Sequence, residues 1–373
     1  HRRIAFYIIL HVGSRPLSLL GGVMLSTAAI SMWISNTATT VMMLPIAISL
    51  ILVVVPPQKR HGRDERNFMA AVTLGVAYAA SIGGMATLIG TPPNALAASY
   101  LAQTFNVQVS FAEWMAIAMP IVVVMLGLAF LVLSRVFPFR NLASAETRIV
   151  SDMLRDVGPM STPEKRVATV FAVVVGCWIL HPFVDDRLGI KVTDTGIAVA
   201  GAIALFLVPA DWRTRAFLLD HATARKAPWE ILVLFGGGLS LAAAMESSGL
   251  VAWIADGLSF LHGMPLVILV AGVALLLVFM TELMSNTAAA AAFLPIAGSF
   301  VLGADAAPLV IAVPVALAAS AGYMLPVSTL PNALVYGTGY IPLPQMIRAG
   351  FILDLLAAAV ITLGIALVVP LLQ

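Results

Sequence analysis

The chain has 373 residues, of which 61% are hydrophobic and only 10% charged. A soluble domain is roughly half apolar and about a quarter charged, so this composition excludes an ordinary water-soluble domain. The apolar residues fall in runs of about 20, the length that crosses a bilayer as helix. The net charge of +2 decides nothing, but the placement of the charges does. The single cysteine, Cys177, excludes an intrachain disulfide framework; it lies in an apolar run and reads as a small buried hydrophobe.

The chain opens at His1 without an initiator Met, and the short approach to its first motif predicts that N-terminal spans precede it. Residues 1–14, with Arg2 and Arg3, read as an interfacial helix or the remnant of a span. Residues 17–34 and 38–55 are apolar legs on either side of Ser35-Asn36-Thr37. A basic loop at 58–67 (Lys59, Arg60, Arg63, Arg66) follows, then an apolar run at 68–89 broken by Gly90-Thr91-Pro92-Pro93-Asn94 and resumed at 95–105. A span at 114–133 closes this unit. Residues 134–166 form a polar, Arg-containing connector, and 167–183 and 195–210 form two more spans, followed by a basic connector at 211–230. Residues 231–245 and a short amphipathic piece at 248–261 lead to the legs 264–284 and 288–303 around Ser285-Asn286-Thr287. Residues 308–327 meet a second break, Ser328-Thr329-Leu330-Pro331-Asn332, resume at 333–339, and are followed by a last span at 349–370.

Two phrases therefore occur twice at constant spacing. Ser35-Asn36-Thr37-Ala38 with Leu44-Pro45-Ile46-Ala47 recurs as Ser285-Asn286-Thr287-Ala288 with Leu294-Pro295-Ile296-Ala297. Thr91, Pro93, Asn94, Ala95 and Leu96 recur as Thr329, Pro331, Asn332, Ala333 and Leu334. Polar tip, broken helix and closing span form one architecture present twice, over 15–133 and 263–373, with the 134–166 connector and a 167–262 block between them. Basic residues mark the cytoplasmic side, and none stands between Lys226 and Arg348. The second tip is then a hairpin that enters and leaves from outside, whereas the first, followed by the basic loop, enters from inside. The sequence thus predicts an all-α polytopic membrane protein of inverted repeats, each with a re-entrant hairpin and a broken helix.

A hairpin tip frees carbonyls at one helix end and N–H groups at the next. Carbonyls with Ser, Thr and Asn oxygens suit a small hard cation such as Na⁺, and N–H groups at a helix start suit a carboxylate. No Lys or Arg lies inside a span that supplies a tip or break, so an anionic substrate depends on bound cations for positive potential, which predicts obligate coupling. The bland reading is that Ser, Asn and Thr only cap helices and pack them closely; two matching copies, each with a Pro/Asn break, weigh against it. Glu282, one turn before Ser285, orients the tip, takes part in coupling or serves a structural hydrogen bond. Asp354 in the last span is a proton-relay candidate or a satisfied interior carboxylate. His181 with Asp185 and Asp186 reads as solvated chemistry at a span end. Gly236-Gly237-Gly238 lacks the context of a phosphate loop and reads as close helix packing.

These paired tips and breaks, with Met32-Trp33-Ile34, Pro228-Trp229-Glu230 and the triple glycine, resemble the divalent anion:sodium symporter family, of sodium–dicarboxylate transporter type, over nearly the whole chain. The resemblance implies two Na⁺ sites, one at Ser31, Ser35, Asn36 and Gly90 and one at Thr281, Ser285, Asn286 and Ser328. It implies substrate carboxylates at Asn36, Thr37 and Thr91 from one repeat and at Asn286, Thr287 and Thr329 from the other. It further implies no enzymatic activity, a lipid-embedded homodimer in a cytoplasmic or plasma membrane, no nucleic-acid partner, and an elevator mechanism. In that mechanism 15–133 and 263–373 move against 167–262 and the missing N-terminal spans. Leu330 stands where the family pattern has Pro, and Asp354 where an uncharged residue such as Asn is expected. The substrate is then a C4-dicarboxylate (succinate, malate or fumarate) taken up with Na⁺; dicarboxylate exchange and sulfate or tricarboxylate transport stay open. A Na⁺/H⁺ antiporter would show a mid-membrane acidic pair, and the sequence does not pair Glu282 with Asp354. An intramembrane hydrolase would need a base beside Ser35 or Ser285, and the spans offer no convincing one.

Overall fold

The computed structural model describes residues 15–55, 62–139, 158–188, 193–212, 216–227, 229–250, 264–304 and 307–368, with a few isolated positions besides. Lys59, Arg60, Arg213, Arg215, Pro228 and nearly all of 251–263 lie outside the described residues, as do the side chains of Asp185 and Asp186.

Helix boundaries follow local chemistry. Helix α1 (Pro16–Ser31) begins on a proline, whose missing N–H is not needed in a first turn. Helix α2 (Asn36–Val54) begins immediately after the tip, with the Ser35 hydroxyl accepting from Ala38 N–H at 3.4 Å. Helix α3 (Arg63–Gly84) has Asp64 and Glu65 in its first turn, where carboxylates complement the helix dipole. Helix α4 (Pro92–Thr104) begins on the Pro-Pro pair. Helix α5 (Phe111–Val136) begins on a capping box between Ser110 and Glu113. The middle block holds α6 (Thr162–Leu188), α7 (Asp194–Leu207), a short antiparallel pair β1 (Pro209–Asp211) and β2 (Ala216–Phe217), α8 (His221–Ala224) and α9 (Glu230–Ser247). The second set is α10 (Leu266–Met280), α11 (Asn286–Ala304), α12 (Leu309–Ala319), α13 (Leu330–Tyr336) and α14 (Leu343–Val368). Among the described residues, four helices, α2, α3, α5 and α14, are long and apolar enough to cross a membrane.

Three sequence expectations change. The runs at 68–89 and 308–327 do not stay helical up to their breaks: α3 ends at Gly84 and α12 at Ala319. The apolar residues beyond read as span, but their backbone groups are taken up by side chains from elsewhere, as detailed below. Cys177 is exposed on α6, because its neighbour Trp178 takes the inward position and donates its indole N–H to Asp194 O at 3.0 Å. The two-stranded pair at 209–217 lies where the sequence reads the end of a span and a basic connector.

Packing repeats between the halves. In the first, α1, α2 and α3 pack on one another and α5 packs on α1 and α3; in the second, α10, α11 and α12 pack on one another and α14 packs on α10 and α12. The connections between halves are reciprocal: α4 packs on α11 and α12, α13 packs on α2 and α3, and α5 packs on α14. Helix α3 is buried all round from Phe68 to Gly84. In the middle block, Gly238 comes close to the Ala291 methyl of α11, at 2.9 Å from where a Cβ would stand, so one of the three glycines serves close helix packing.

Candidate cation and substrate site

Each tip is built on an Asn that begins a helix. In the first half, the buried Ser31 Oγ lies 2.7 Å from Ala80 O and 2.9 Å from Asn36 Oδ1. In the second, the buried Thr281 Oγ1 lies 2.7 Å from Ala319 O and 2.8 Å from Asn286 Oδ1. A hydroxyl has one proton to donate, so each cluster brings three oxygens together around one hydrogen. Such an oxygen-rich set, without a fixed charge, has the chemistry of a hard monovalent cation site. The first cluster is fixed by Gly84, where a side chain would run into Asn36 Oδ1, and Gly90 in turn lies against Gly84 O. In the second, Gly322 separates Thr281 from Ser328, at 3.3 Å from a built Cβ to each.

Each break is held by the Asn that follows its Pro. Asn94 Nδ2 donates toward Gly84 O, Met85 O and Thr87 O at 3.1, 3.2 and 2.8 Å. Asn332 Nδ2 donates toward Gly322 O, Leu325 O and Ser328 Oγ at 3.2, 3.1 and 2.9 Å. Both side chains are fully buried, and the Oδ1 of each has no hydrogen-bond partner among the described residues. Carbonyls released by unwinding are thus gathered on a single amide, which offsets the cost of burying them unpaired.

The other residues singled out from the sequence divide into two groups. Ser35 and Ser285 are exposed, and their hydroxyls cap Ala38 and Ala288 N–H, so their side chains are directed to the helix starts rather than to the oxygen clusters. Thr329 likewise caps Asn332 N–H at 3.2 Å. Ser328 is buried, donates to Leu325 O at 2.8 Å and stands beside Thr281 across Gly322. Thr91 and Thr287 are buried, and Thr37 is half-buried at the start of α2.

The closing helices also reach the breaks, and here the halves differ. Trp114 of α5 donates its indole N–H to Met85 O at 3.1 Å, while Asp354 of α14 accepts from Tyr323 N–H at 3.2 Å. Before the first tip, the Met32 carbonyl accepts from Thr87 Oγ1; before the second, Glu282 accepts from Met324 and Leu325 N–H, both at 2.7 Å. Glu282 and Asp354 are both buried, and both reach the backbone of the same stretch, 323–325, which the sequence alone does not bring together. The repeated Pro-Asn step gave a signal for Asn94 and Asn332, and Glu282 and Asp354 stood out as carboxylates inside apolar runs; no local pattern identified Thr87 or Trp114.

His181 Nε2 stands 2.8 Å from Asp194, whose other carboxylate oxygen accepts from Phe111 N–H at 2.8 Å. Asp194 therefore ties the starts of α5 and α7 to α6. Trp33 at the first tip stacks on Phe111, which stacks on Trp178, at centroid separations of 6.0 and 4.7 Å.

Residues 1–372 match the family described as the sodium:sulfate symporter transmembrane region. The chain belongs to that family. The resemblance to divalent anion:sodium symporters read from the tips and breaks is thereby borne out. Sodium-dependent dicarboxylate transporters, named SdcS, of Staphylococcus aureus strains USA300, NCTC 8325 and COL are each 35% identical to it over 385 residues, covering 99% of this chain and 72% of theirs. Membership of this symporter family, together with the apolar helices, makes the chain a polytopic integral membrane protein and a transporter rather than an enzyme.

Proposed function

We propose that this protein carries a divalent anion, in the first place a C4-dicarboxylate such as succinate, malate or fumarate, into the cell together with Na⁺. The observation that carries the reading is the doubled oxygen cluster, Ser31–Asn36–Ala80 and Thr281–Asn286–Ala319, each at the start of a helix. One Na⁺ belongs to Ser31, Ser35, Asn36 and Gly90, the other to Thr281, Ser285, Asn286 and Ser328. Since the hydroxyls of Ser35 and Ser285 face their caps, these two residues contribute backbone oxygen instead. The substrate carboxylates lie between the halves, with Asn36, Thr37 and Thr91 on one side and Asn286, Thr287 and Thr329 on the other. With no Lys or Arg in the tips, the bound cations and the N–H groups at the starts of α2 and α11 supply the positive potential.

The two halves are taken as inverted repeats, supported by the charge map and the matching packing. The units 15–133 and 263–373 form the moving body of an elevator, with 1–14 as an interfacial or remnant helix and 134–166 as the cytoplasmic connector. The 167–262 block is the scaffold of a homodimer; outward-facing apolar side chains on α7 and α9, among them Val199, Ile203, Leu232 and Val233, support that assignment.

Succinate uptake into proteoliposomes with and without an inward Na⁺ gradient tests the function. Uptake should depend on the gradient, and equal uptake without it would overturn symport. Asn36→Ala and Asn286→Ala should each lower uptake by about 100-fold, the upper range for disturbed metal sites.

A further inference from the structure

Four buried threonines bond within their own helices: Thr27 donates to Val23 O, Thr40 to Asn36 O, Thr73 to Met69 O and Thr362 to Ala358 O. That is the ordinary way to satisfy a hydroxyl inside an apolar helix. Thr87 departs from it. It is fully buried in the first break, and its hydroxyl donates to the Met32 carbonyl, 55 positions earlier, while accepting from Gly90 N–H at 3.1 Å. Its own carbonyl accepts from Asn94 Nδ2 at 2.8 Å and lies 3.3 Å from Gly90 N. One residue therefore touches the approach to the first tip, the glycine of the break and the Asn that clasps the break. Met32 directly follows Ser31 of the first oxygen cluster.

The second half makes the same join with other residues. In the two repeat registers Met32 corresponds to Glu282, Thr87 to Leu325 and Gly90 to Ser328. Glu282 Oε2 accepts from Leu325 N–H at 2.7 Å, and Ser328 Oγ donates to Leu325 O at 2.8 Å. Equivalent positions are thus hydrogen-bonded to an equivalent centre in both halves, although none of the three residue types matches. The side chain that spans the join sits on the break in the first half and on the approach to the tip in the second. A stray interior hydroxyl has no reason to be replaced by a bond between the same positions. A required separation between tip and break does. A cation held by oxygens from two stretches of chain binds well only if those stretches keep their distance, and groups behind the ligands set it.

We propose that Thr87 is a positioning residue for the first Na⁺ site: its hydroxyl holds Gly90 of the break in place against Ser31, Ser35 and Asn36 of the tip, without itself ligating the ion. The proposal rests on the function proposed above. Without the hydroxyl, the Met32 carbonyl loses this donor and Gly90 N–H falls back on the Thr87 carbonyl. Tip and break are then free to separate, and Na⁺ binds more weakly while the movement of the loaded protein is unchanged.

Thr87→Val tests this because it removes the hydroxyl and keeps the branched shape. Protein in lipid nanodiscs, without succinate, is heated at increasing Na⁺, with choline holding the ionic strength constant; the rise of the unfolding midpoint reports binding. Thr87→Val should raise the half-saturating Na⁺ about tenfold, the lower range for outer partners of a metal site, and Thr87→Ser should stay within about twofold of wild type. Thr73→Val, which removes a hydroxyl bonded inside α3, should lower the midpoint without Na⁺ and leave the half-saturating Na⁺ unchanged. In succinate uptake, Thr87→Val should need more Na⁺ by the same factor and reach the wild-type maximal rate. An unchanged Na⁺ requirement in Thr87→Val, an equal loss in Thr73→Val, or a loss in Thr87→Ser as large as in Thr87→Val each overturns the proposal, as does a lower maximal rate with an unchanged Na⁺ requirement. Should Thr87→Val not fold, Thr87→Ala makes the same comparison. If Na⁺ stabilises the wild type no more than choline does, the proposed function fails and the positioning role with it; if the wild type responds and Thr87→Val responds equally, the positioning role alone fails.

Discussion

The two breaks solve the same problem with different chemistry. Both collect their released carbonyls on an Asn side chain, Asn94 in one half and Asn332 in the other. The first is otherwise held by neutral groups, the Thr87 hydroxyl on Met32 O and the Trp114 indole on Met85 O. The second is held through its N–H groups by two carboxyl side chains, Glu282 and Asp354. A neutral tie is indifferent to pH and to nearby cations, whereas a charged tie responds to both. The difference shows that a repeated motif fixes a backbone path without fixing the electrostatics around it.

The largest test of this comparison is steric. Gly84→Ala places a methyl group against Asn36 Oδ1, whereas Gly322→Ala meets Ser328 and Thr281 only at 3.3 Å. The first should cost about 3 kcal/mol and the second about 1 kcal/mol, the span observed for overpacking. The Na⁺ concentration for half-maximal uptake, measured beside thermal stability, checks both; equal effects would mean that the first cluster is not the tighter one. Next comes the charged tie against the neutral one. Glu282→Gln turns an NH₂ toward a backbone N–H and should destabilise by about 1–3 kcal/mol, while Thr87→Val, which removes one neutral bond, should cost about 1 kcal/mol. A larger loss for Thr87→Val would reverse the ranking of the two ties. The smallest effect is expected at Leu330, which is 64% exposed at the first position of α13. Leu330→Pro restores the double proline of the first break at a position that tolerates it, and should change stability by less than about 1 kcal/mol, in the favourable direction.

Much of this arrangement was legible in the sequence because the tips and breaks carry it locally. Ser35 and Asn36 reappear as Ser285 and Asn286, and Asn94 as Asn332, so repetition alone marked both halves. The extent of the breaks was not legible. Residues 320–327 read as the end of an apolar run, although Gly322 and Pro326 within it already disfavour helix; what stays hidden is that their N–H and carbonyl groups are taken by Glu282, Asp354 and Asn332 from three separate stretches. Hydropathy registers side chains and is blind to where backbone groups find partners. That Glu282 and Asp354 both reach the 323–325 backbone is of the same kind, a product of packing between α10 and α14 that no spacing rule connects. The outward turn of Cys177 followed from the competition of Trp178 for the inward position, which an apolar run does not reveal.

The reciprocal seating of α4 on α11 and α12, and of α13 on α2 and α3, bears on how the chain acquires its structure. Neither half closes its own interior: the short arm of each is the lid of the other. Translation delivers the first half well before α11 and α12 exist, so α4 must wait with its apolar face covered by something else, lipid or an insertion factor, until the second half arrives. The last step of assembly is then an exchange of arms, and a chain cut between α5 and α6 should yield two fragments that are completed only by each other.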